Sequence, residues 1–372
     1  MDDIHVVSVS TDRADIGILL PIWKELSTTD MVRLKVLLTG NHVEDVRSTL
    51  GLPSSVSISW RPKSLPGTFG CELAASLQLI SSECSNFFDD EAPRKMLLLA
   101  GDRIELLPIA TAAYADNIPI AHVGGGDVTG GAIDDNIRHA LTKLSHLHFT
   151  VNEHARNLVL AMGEQDWRVF NYGAPNIDTL RVAQKDVSIL FERFGINQPF
   201  RLITIHPVTN SSEPLKTAIA TFQALEGIDG LNVFTAPNND PGGRELTKMV
   251  HEWCRNNPST IFVNSFGHDA YATALSCASV MIGNSSSGII EAGYFGLPVI
   301  NIGSRQEGRV SGKNVRHVGD DPKLIRDAIR KMDKLTVRTR DLTYGSGHTA
   351  KLVSQAIVRC FHNTNLLNKV LD

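Results

Sequence analysis

The sequence predicts an α/β protein made of two doubly wound domains in series. Short strands rich in Val, Ile and Leu alternate with segments of helical length along the chain, which is typical of strand–helix–strand units. The strands are near-continuous apolar runs, as expected for parallel sheets that are covered by helices on both faces. A chain of 372 residues also exceeds the size at which one hydrophobic core stops growing.

Two series of predicted strands divide the chain. The first half has strands at residues 4–10, 32–39, 96–101, 118–124 and 147–151, with helices at 17–25, 70–85 and 104–116. The second half has strands at residues 201–207, 231–237, 260–265, 279–285 and 298–303. Residues 183–200 join the two series through a charged helix and a segment that contains Gly and Pro. We therefore expect one domain over residues 1–182 and a second from residue 183.

Composition and charge exclude several classes of protein. The apolar fraction is 42% and the charged fraction 20%, and no apolar run is long enough to span a bilayer. The net charge of −4 gives no general attraction to nucleic acid or to an anionic membrane, so a phosphate group must be bound by a local site. No basic region precedes the first strand, which indicates a cytoplasmic protein without a signal peptide.

The cysteines indicate neither a disulfide framework nor a zinc site. The five cysteines are an odd number, they are widely scattered, and no two form a Cys-x-x-Cys pair. We therefore expect buried, reduced thiols.

Charged residues follow two strands of the first domain. Ligands of open parallel sheets bind at the carboxyl ends of the strands, where Arg13 and Asp15 precede one predicted helix and Asp102 and Arg103 precede another. Arg13 is interpreted either as part of an anion site or as a surface partner of Asp15. Asp102 fits the N-cap of its helix, but the neighbouring Arg103 favours a substrate contact.

A glycine-rich acidic loop follows the strand at 118–124. Five glycines in residues 124–131 permit positive φ angles and a close backbone approach. The same stretch carries Asp127, and Asp134 and Asp135 begin the next helix, one turn before Arg138. The alternative interpretation is a mobile surface loop followed by a solvated acidic helix start.

The second domain offers a phosphate-binding pattern. The serines at 285–287 and Gly288 enter a helix whose next turn carries Glu291. Amide and hydroxyl groups there suit a diphosphate, and the carboxylate suits a ribose hydroxyl, whereas an N-cap accounts for only one of the serines. His206 ends the first strand of this domain; a packed core histidine is the alternative, but its position favours a ligand contact.

Together these segments resemble the hydrolysing nucleotide-sugar 2-epimerases of sialic and legionaminic acid biosynthesis. The similarity covers nearly the whole chain, with the motifs in the order of the family. It implies the GT-B fold, in which two Rossmann-like doubly wound domains face a cleft, with a C-terminal helix in residues 349–372 that crosses back to the first domain. It also implies a homodimer or homotetramer. The motifs are STDRADIGILLP, AGDRIELL, GGDVTGGAIDDNIRHALTKLSHLHF, HPVT and GNSSSGIIEAGYFGLPVINIGSRQEGR.

The resemblance implies a reaction that needs cationic side chains and at least two carboxyl groups. It implies that the reaction needs neither a metal nor a redox cofactor. A proton leaves sugar carbon 2 as UDP departs from carbon 1; water then adds to carbon 1, and a proton returns to carbon 2 from the opposite face. The substrate is UDP-N-acetylglucosamine or a UDP-N,N'-diacetylbacillosamine-like sugar. The catalytic residues implied are Asp102, Asp127, Asp134 and His206, and the substrate-binding residues are Arg13, Arg103, Arg138, Asn238, Ser286, Ser287, Glu291 and Arg305.

One position departs from the family pattern. Where relatives carry Glu or His two residues after the strand histidine, this sequence has Gly124, which transfers no proton. Three explanations stay open: Asp127 takes over the role, His122 or the substrate completes the site, or the protein releases UDP without inverting carbon 2. A GT-B glycosyltransferase and a non-catalytic UDP-sugar-binding protein are the alternatives from other functional classes.

Overall fold

The structure, a computed structural model, describes most of the chain. The predicted helix at 70–85 and the cysteines Cys71 and Cys84 lie outside the described residues, as do the side chains of Arg13 and Asp134, whose backbone is described. The described ranges are 3–11, 13–40, 50–53, 55–62, 95–128, 133–183, 185–208, 211–238, 242–333, 335 and 338–370.

The chain divides into two compact units. The first contains residues 1–178 and 345–372, and the second contains residues 179–344. The domain limits that the sequence suggests, after residues 182 and 348, stay predictions.

The first unit is built on a seven-stranded sheet in the order β3-β2-β1-β4-β5-β6-β7. All neighbouring strands are parallel, and the order reverses between β1 and β4, which makes their carboxyl ends the expected ligand site. The strands are β1 (Ile4–Ser10), β2 (Val32–Gly40), β3 (Ser57–Pro62), β4 (Lys95–Ala100), β5 (Ile120–Val123), β6 (Leu147–Thr150) and β7 (Val169–Asn171).

Helices cover both faces of this sheet. Alternate residues of β1 enter different cores: Val6 packs with one face and Val7 with the other, as the two-residue period of a strand requires. The C-terminal helix packs on the Val6 face, and Asp178 Oδ1 and Oδ2 accept hydrogen bonds from the backbone N–H groups of Thr349 and Ala350 at its start. The helices are α1 (Arg13–Ser27), α2 (Leu106–Ala115), α3 (Ile133–Leu144), α4 (Glu153–Ala161) and α5 (Asn176–Val182), with α12 (Thr349–Phe361) at the end of the chain.

The second unit repeats the architecture with six parallel strands in the order β10-β9-β8-β11-β12-β13. Here the order reverses between β8 and β11. The strands are β8 (Phe200–Thr204), β9 (Leu231–Thr235), β10 (Thr260–Val263), β11 (Val280–Gly283), β12 (Val299–Ile302) and β13 (Val315–Val318), and the helices are α6 (Ser188–Phe194), α7 (Lys216–Leu225), α8 (Gly243–Asn256), α9 (His268–Cys277), α10 (Ser286–Ile290) and α11 (Pro322–Met332).

The predicted fold class, α/β with two Rossmann-like doubly wound parts, is confirmed. The sequence did not predict strands β3, β7 and β13, which lie at sheet edges. Two of them are short or partly exposed: β7 has three residues and β13 lacks a buried residue, so the apolar run that marks a buried strand is weak there. Among the described residues, no helix is both long enough and apolar enough to cross a bilayer.

Candidate functional site

The guanidinium of Arg138 contacts several charged and polar groups at the carboxyl end of β4. Its Nη2 donates a hydrogen bond to Asp102 Oδ2, and its Nη1 donates to the main-chain carbonyl oxygen of Asp127. A third, longer contact joins Nη1 to Asp135 Oδ1 at 3.4 Å. The side chain of Arg138 is only 5% exposed, so its charge must be compensated by these acceptors. One guanidinium therefore fixes both the end of β4 and the start of the glycine-rich loop.

Asp102 is not a helix cap. Helix α2 begins later than predicted, and its N-cap residue is Glu105, whose side chain makes no capping hydrogen bond. The Asp102 carboxylate pairs with Arg138 instead and is a quarter exposed. The N-cap interpretation is therefore wrong, and the alternative of a charged group available to a ligand is favoured. Arg103 follows in the turn before α2, where its carbonyl oxygen accepts from Leu106 N at 3.0 Å.

The described part of the glycine-rich loop, residues 124–128, packs against the protein. Gly124 has a φ of +87° and its N–H donates to Phe149 O at 2.9 Å. Gly126 has a φ of +78°, and a Cβ atom there would lie 2.2 Å from Ala155 O on α4. Glycine is favoured at both positions because side chains rarely adopt such φ angles, and at Gly126 a side chain would also collide with α4. Gly125 and Gly126 are buried, so the interpretation as a surface loop is wrong for this part of the loop.

His122 is a buried structural group. It is fully buried on β5, its Nε2 bonds Gly101 O at 2.8 Å, and its Nδ1 lies 3.4 Å from Thr142 Oγ1 on α3. Burial lowers the pKa of His122 to about 3. Because a carbonyl oxygen only accepts, Nε2 carries the proton of a neutral ring. These contacts oppose a proton-transfer role for His122.

His206 lies just beyond β8 with its tautomer defined by a backbone donor. Asn238 N donates to His206 Nδ1 at 3.0 Å, so Nε2 must carry the proton of the neutral ring. Burial, and then the charge of Arg305, lowers the pKa of His206 to about 4. The ring is therefore a neutral N–H donor at physiological pH.

Asn284, which the sequence reasoning missed, joins His206 to Arg305. It is fully buried at the end of β11 and bonds the backbone of His206 through both ends of its amide. Its own carbonyl oxygen accepts from Arg305 Nη1 at 3.1 Å and from Gln306 Nε2 at 2.9 Å. Its place directly before the three serines was the available signal.

A hydrogen-bonded chain follows at the start of α10. Ser285 is the N-cap and accepts from Ser287 N at 3.3 Å. Ser287 Oγ donates to Glu291 Oε2 at 2.5 Å and lies 2.6 Å from the hydroxyl of Tyr271, which therefore donates to Ser287. Burial, and then the charge of Glu291, raises the pKa of Tyr271. Nothing in the sequence pattern pointed to Tyr271, which lies on α9.

The structure thus brings most of the predicted site residues together within each unit. In the first unit, Arg138 contacts Asp102 and the backbone of Asp127, with Arg103 next in the chain to Asp102. In the second unit, hydrogen bonds of Asn284 and His206 connect three predicted residues that follow different strands: His206 after β8, Asn238 after β9 and Arg305 after β12. The other predicted residues of this unit, Ser286, Ser287 and Glu291, lie at α10.

Known proteins resemble this chain along most of its length. Residues 24–358 match the family described as UDP-N-acetylglucosamine 2-epimerase. The chain is 31% identical over 326 residues, 82% of each chain, to the GDP/UDP-N,N'-diacetylbacillosamine 2-epimerase (hydrolyzing) of Campylobacter jejuni. It is 29% identical over 381 residues, 98% of each chain, to the UDP-N,N'-diacetylbacillosamine 2-epimerase (hydrolyzing) of Legionella pneumophila.

A solved structure shares the fold. The crystal structure of UDP-GlcNAc 2-epimerase from Neisseria meningitidis bound to UDP-GlcNAc superposes with a TM-score of 0.74. The match covers 96% of this chain and all of that one at 17% identity.

Proposed function

Because the chain belongs to the UDP-N-acetylglucosamine 2-epimerase family, we propose that it converts a UDP-linked 2-acetamido sugar to UDP and the free 2-epimeric sugar. The observation that carries this proposal is the contact of Arg138 with both Asp102 and the backbone of Asp127. It places two carboxylate-bearing residues at the carboxyl end of one sheet, where α/β proteins bind their ligands.

The reaction proceeds in two steps. In the first, the C2–H and C1–O bonds break, a double bond forms between carbons 1 and 2, and UDP leaves with the electron pair of the C1–O bond. In the second, the oxygen of water bonds to carbon 1 and water gives up a proton. Carbon 2 receives a proton on the face opposite to the one from which its first proton left. The two faces of carbon 2 require two proton-transfer groups.

The carboxylates of the first unit supply these groups. Asp102 exchanges a proton on one face of carbon 2, with its carboxylate oriented by Arg138. Asp127 replaces the side chain that is missing at Gly124, and the guanidinium that orients Asp102 holds its backbone. Asp134, at the second position of α3, is the third member of the proposed catalytic set.

The second unit binds the nucleotide. A neutral His206 donates its Nε2–H to a phosphate oxygen, and Arg305 supplies positive charge as the diphosphate departs. Ser286 and Ser287 contribute hydroxyl groups, and Glu291 accepts from a ribose hydroxyl. Asn238, Arg13 and Arg103 stay predicted nucleotide or sugar contacts.

Two sugars are the candidate substrates. The names of the Campylobacter jejuni and Legionella pneumophila relatives support UDP-N,N'-diacetylbacillosamine, and the family description supports UDP-N-acetylglucosamine. Among the described residues that are not its chain neighbours, the nearest atom to a Cβ at Gly124 would be Gly101 N at 4.0 Å. We also retain a homodimer or homotetramer and a cytoplasmic location as predictions.

The test is incubation of the protein with each UDP-sugar in deuterated water, followed by NMR of the anomeric and carbon 2 signals. The proposal predicts release of UDP together with a 2-epimeric sugar that carries deuterium at carbon 2. Transfer of the sugar to an added acceptor, or binding without turnover, would contradict it.

A hydrolase that does not epimerise is the second candidate. Its support is Gly124, which removes a side chain that relatives provide near the proton-transfer site. The same experiment separates the two functions, because this hydrolase would release a sugar of unchanged configuration without deuterium at carbon 2.

A further inference from the structure

Asn284 connects three segments of the second unit from a fully buried position. Its side-chain Oδ1 accepts from His206 N at 2.7 Å, and its Nδ2 donates to His206 O at 2.8 Å. Because N–H only donates and C=O only accepts, these partners fix the orientation of the amide. Its backbone N–H donates to Thr204 O at 3.2 Å. The side chain and the backbone of Asn284 therefore both hold the chain at the end of β8 and directly after it.

The backbone of Asn284 also holds the loop after β12. Its carbonyl oxygen accepts from the Arg305 guanidinium and from the amide of Gln306, which is 3% exposed. Arg305 is close enough to His206 for its charge to act on the ring. One residue therefore sets the positions of a neutral N–H donor and of a cation that lie near each other.

We propose that Asn284 is a positioning residue, which holds the His206 ring and the Arg305 guanidinium in place for the diphosphate of the nucleotide. This inference rests on the proposed function for the identity of the ligand. Asn284 itself needs no contact with the ligand, because it acts through the backbone of His206 and through Arg305.

The unmodified protein provides the first test. Nitrogen-15 NMR of the His206 ring, assigned by its absence in His206→Gln, should show a neutral ring protonated on Nε2 at pH 7. A ring protonated on Nδ1, or a charged ring, would overturn the inference, and this result does not depend on the folding of any Asn284 variant.

Asn284→Asp provides the second test. The substitution keeps the size of the side chain, loses the donor to His206 O and adds negative charge at the backbone of His206. We expect UDP binding, measured by calorimetry at pH 7.5, to weaken about tenfold, as for the loss of one well-placed hydrogen bond. The added charge should also raise the pKa of His206, so the ratio of wild-type to variant affinity should shrink as the pH falls.

Asn301→Asp is the matched control. Asn301 is also a buried asparagine, 1% exposed, and it lies on the adjacent strand in register with Gly283, but its side chain contacts His317. We expect its UDP affinity to stay within about twofold of wild type, without a new pH dependence. Equal losses in both variants, or no loss in Asn284→Asp, would overturn the inference.

The outcome is separable from that of the proposed function. If the protein binds UDP but does not turn over the UDP-sugars, the proposed function fails, while the affinity of Asn284→Asp still decides the inference. If the protein turns over its substrate and Asn284→Asp binds UDP as tightly as wild type, the inference alone fails.

Discussion

Asp102 and Arg138, which lie 36 residues apart in the sequence, form an ion pair at the carboxyl end of β4. The same guanidinium donates to the carbonyl oxygen of Asp127. This pair is the structural basis of the proposed proton-transfer site, because it fixes the carboxylate of Asp102 and the path of the glycine-rich loop at once.

Replacement of Arg138 should therefore lower catalysis more than nucleotide binding. We expect Arg138→Met to reduce kcat by at least about 100-fold and to leave the affinity for UDP within about threefold of wild type. Arg138→Lys keeps the charge but not the two-pronged contact, so it should recover only part of kcat. Steady-state kinetics and UDP calorimetry measure both quantities.

Arg156→Met is the control for the loss of an ion pair. Arg156 also pairs with a carboxylate, Asp166, but that carboxylate is 78% exposed, and such exposed pairs contribute about 0–1 kcal/mol. Wild-type kcat in this variant is expected. Equal kcat values for Arg138→Met and Arg156→Met would reject the role given to Arg138.

Asp127→Asn tests the residue proposed to replace the missing side chain at Gly124. The amide retains the shape but transfers no proton, so kcat should fall about 10²–10⁴-fold, and deuterium incorporation at carbon 2 should fall with it. Asp135→Asn is the matched control, because Asp135 also contacts Arg138 but has no proposed proton-transfer role. Normal epimerisation by Asp127→Asn would show that another group protonates carbon 2.

Much of the fold followed from the sequence because burial on both faces produces apolar runs. The alternation of strands and helices predicts parallel sheets, and ligands of such sheets bind after the carboxyl ends of strands, which include β4 and β8. Asp102, His206 and Ser287 were predicted as site residues because polar residues that follow apolar strands stand out, and Arg138 was predicted from the acidic start of helix α3.

Long-range contacts were not predictable in this way. The amide of Asn284 bonds the backbone of His206, 78 residues earlier, and backbone partners leave no mark on the sequence. Tyr271 reaches Ser287 from another helix. From the sequence alone, His122 could be either a catalytic or a structural histidine. Its complete burial in the structure identifies it as structural.

Gly124→Glu tests whether the side chain found in relatives can simply be restored. Since Gly124 has a φ of +87°, any side chain there should cost about 1–2 kcal/mol of stability. We expect Gly124→Glu and Gly124→Ala to lower Tm by similar amounts, and Gly124→Glu to gain no activity. Gly319 has no positive φ, and a Cβ atom there would have no neighbour within 4 Å in the part of the chain that the structure describes, so Gly319→Ala should leave Tm nearly unchanged. A more active Gly124→Glu would mean that the loop accepts the side chain of the family.

The buried His122 contributes to the pH dependence of the stability of the first unit, together with His146 and His148, whose pKa values burial also lowers. The pKa of His122 is about 3 in the folded protein and 6.5 in the unfolded chain. Between these values the unfolded chain binds a proton that the folded protein does not. The free energy of unfolding should therefore fall as the pH drops below 6.5, by up to about 1.4 kcal/mol per pH unit from this residue.

Amide hydrogen exchange of β5, corrected for the intrinsic rate at each pH, measures this dependence between pH 7.5 and pH 4.5. His122→Asn should lower the stability at pH 7.5, because Gly101 O and Thr142 Oγ1 lose their ring partners, and it should make the slope below pH 6.5 less steep by the contribution of one histidine. The exposed His154 provides the control, since His154→Gln should keep the wild-type slope. An unchanged slope in His122→Asn would mean that His122 takes up its proton without unfolding, and the neutral ring inferred from its burial would then be wrong.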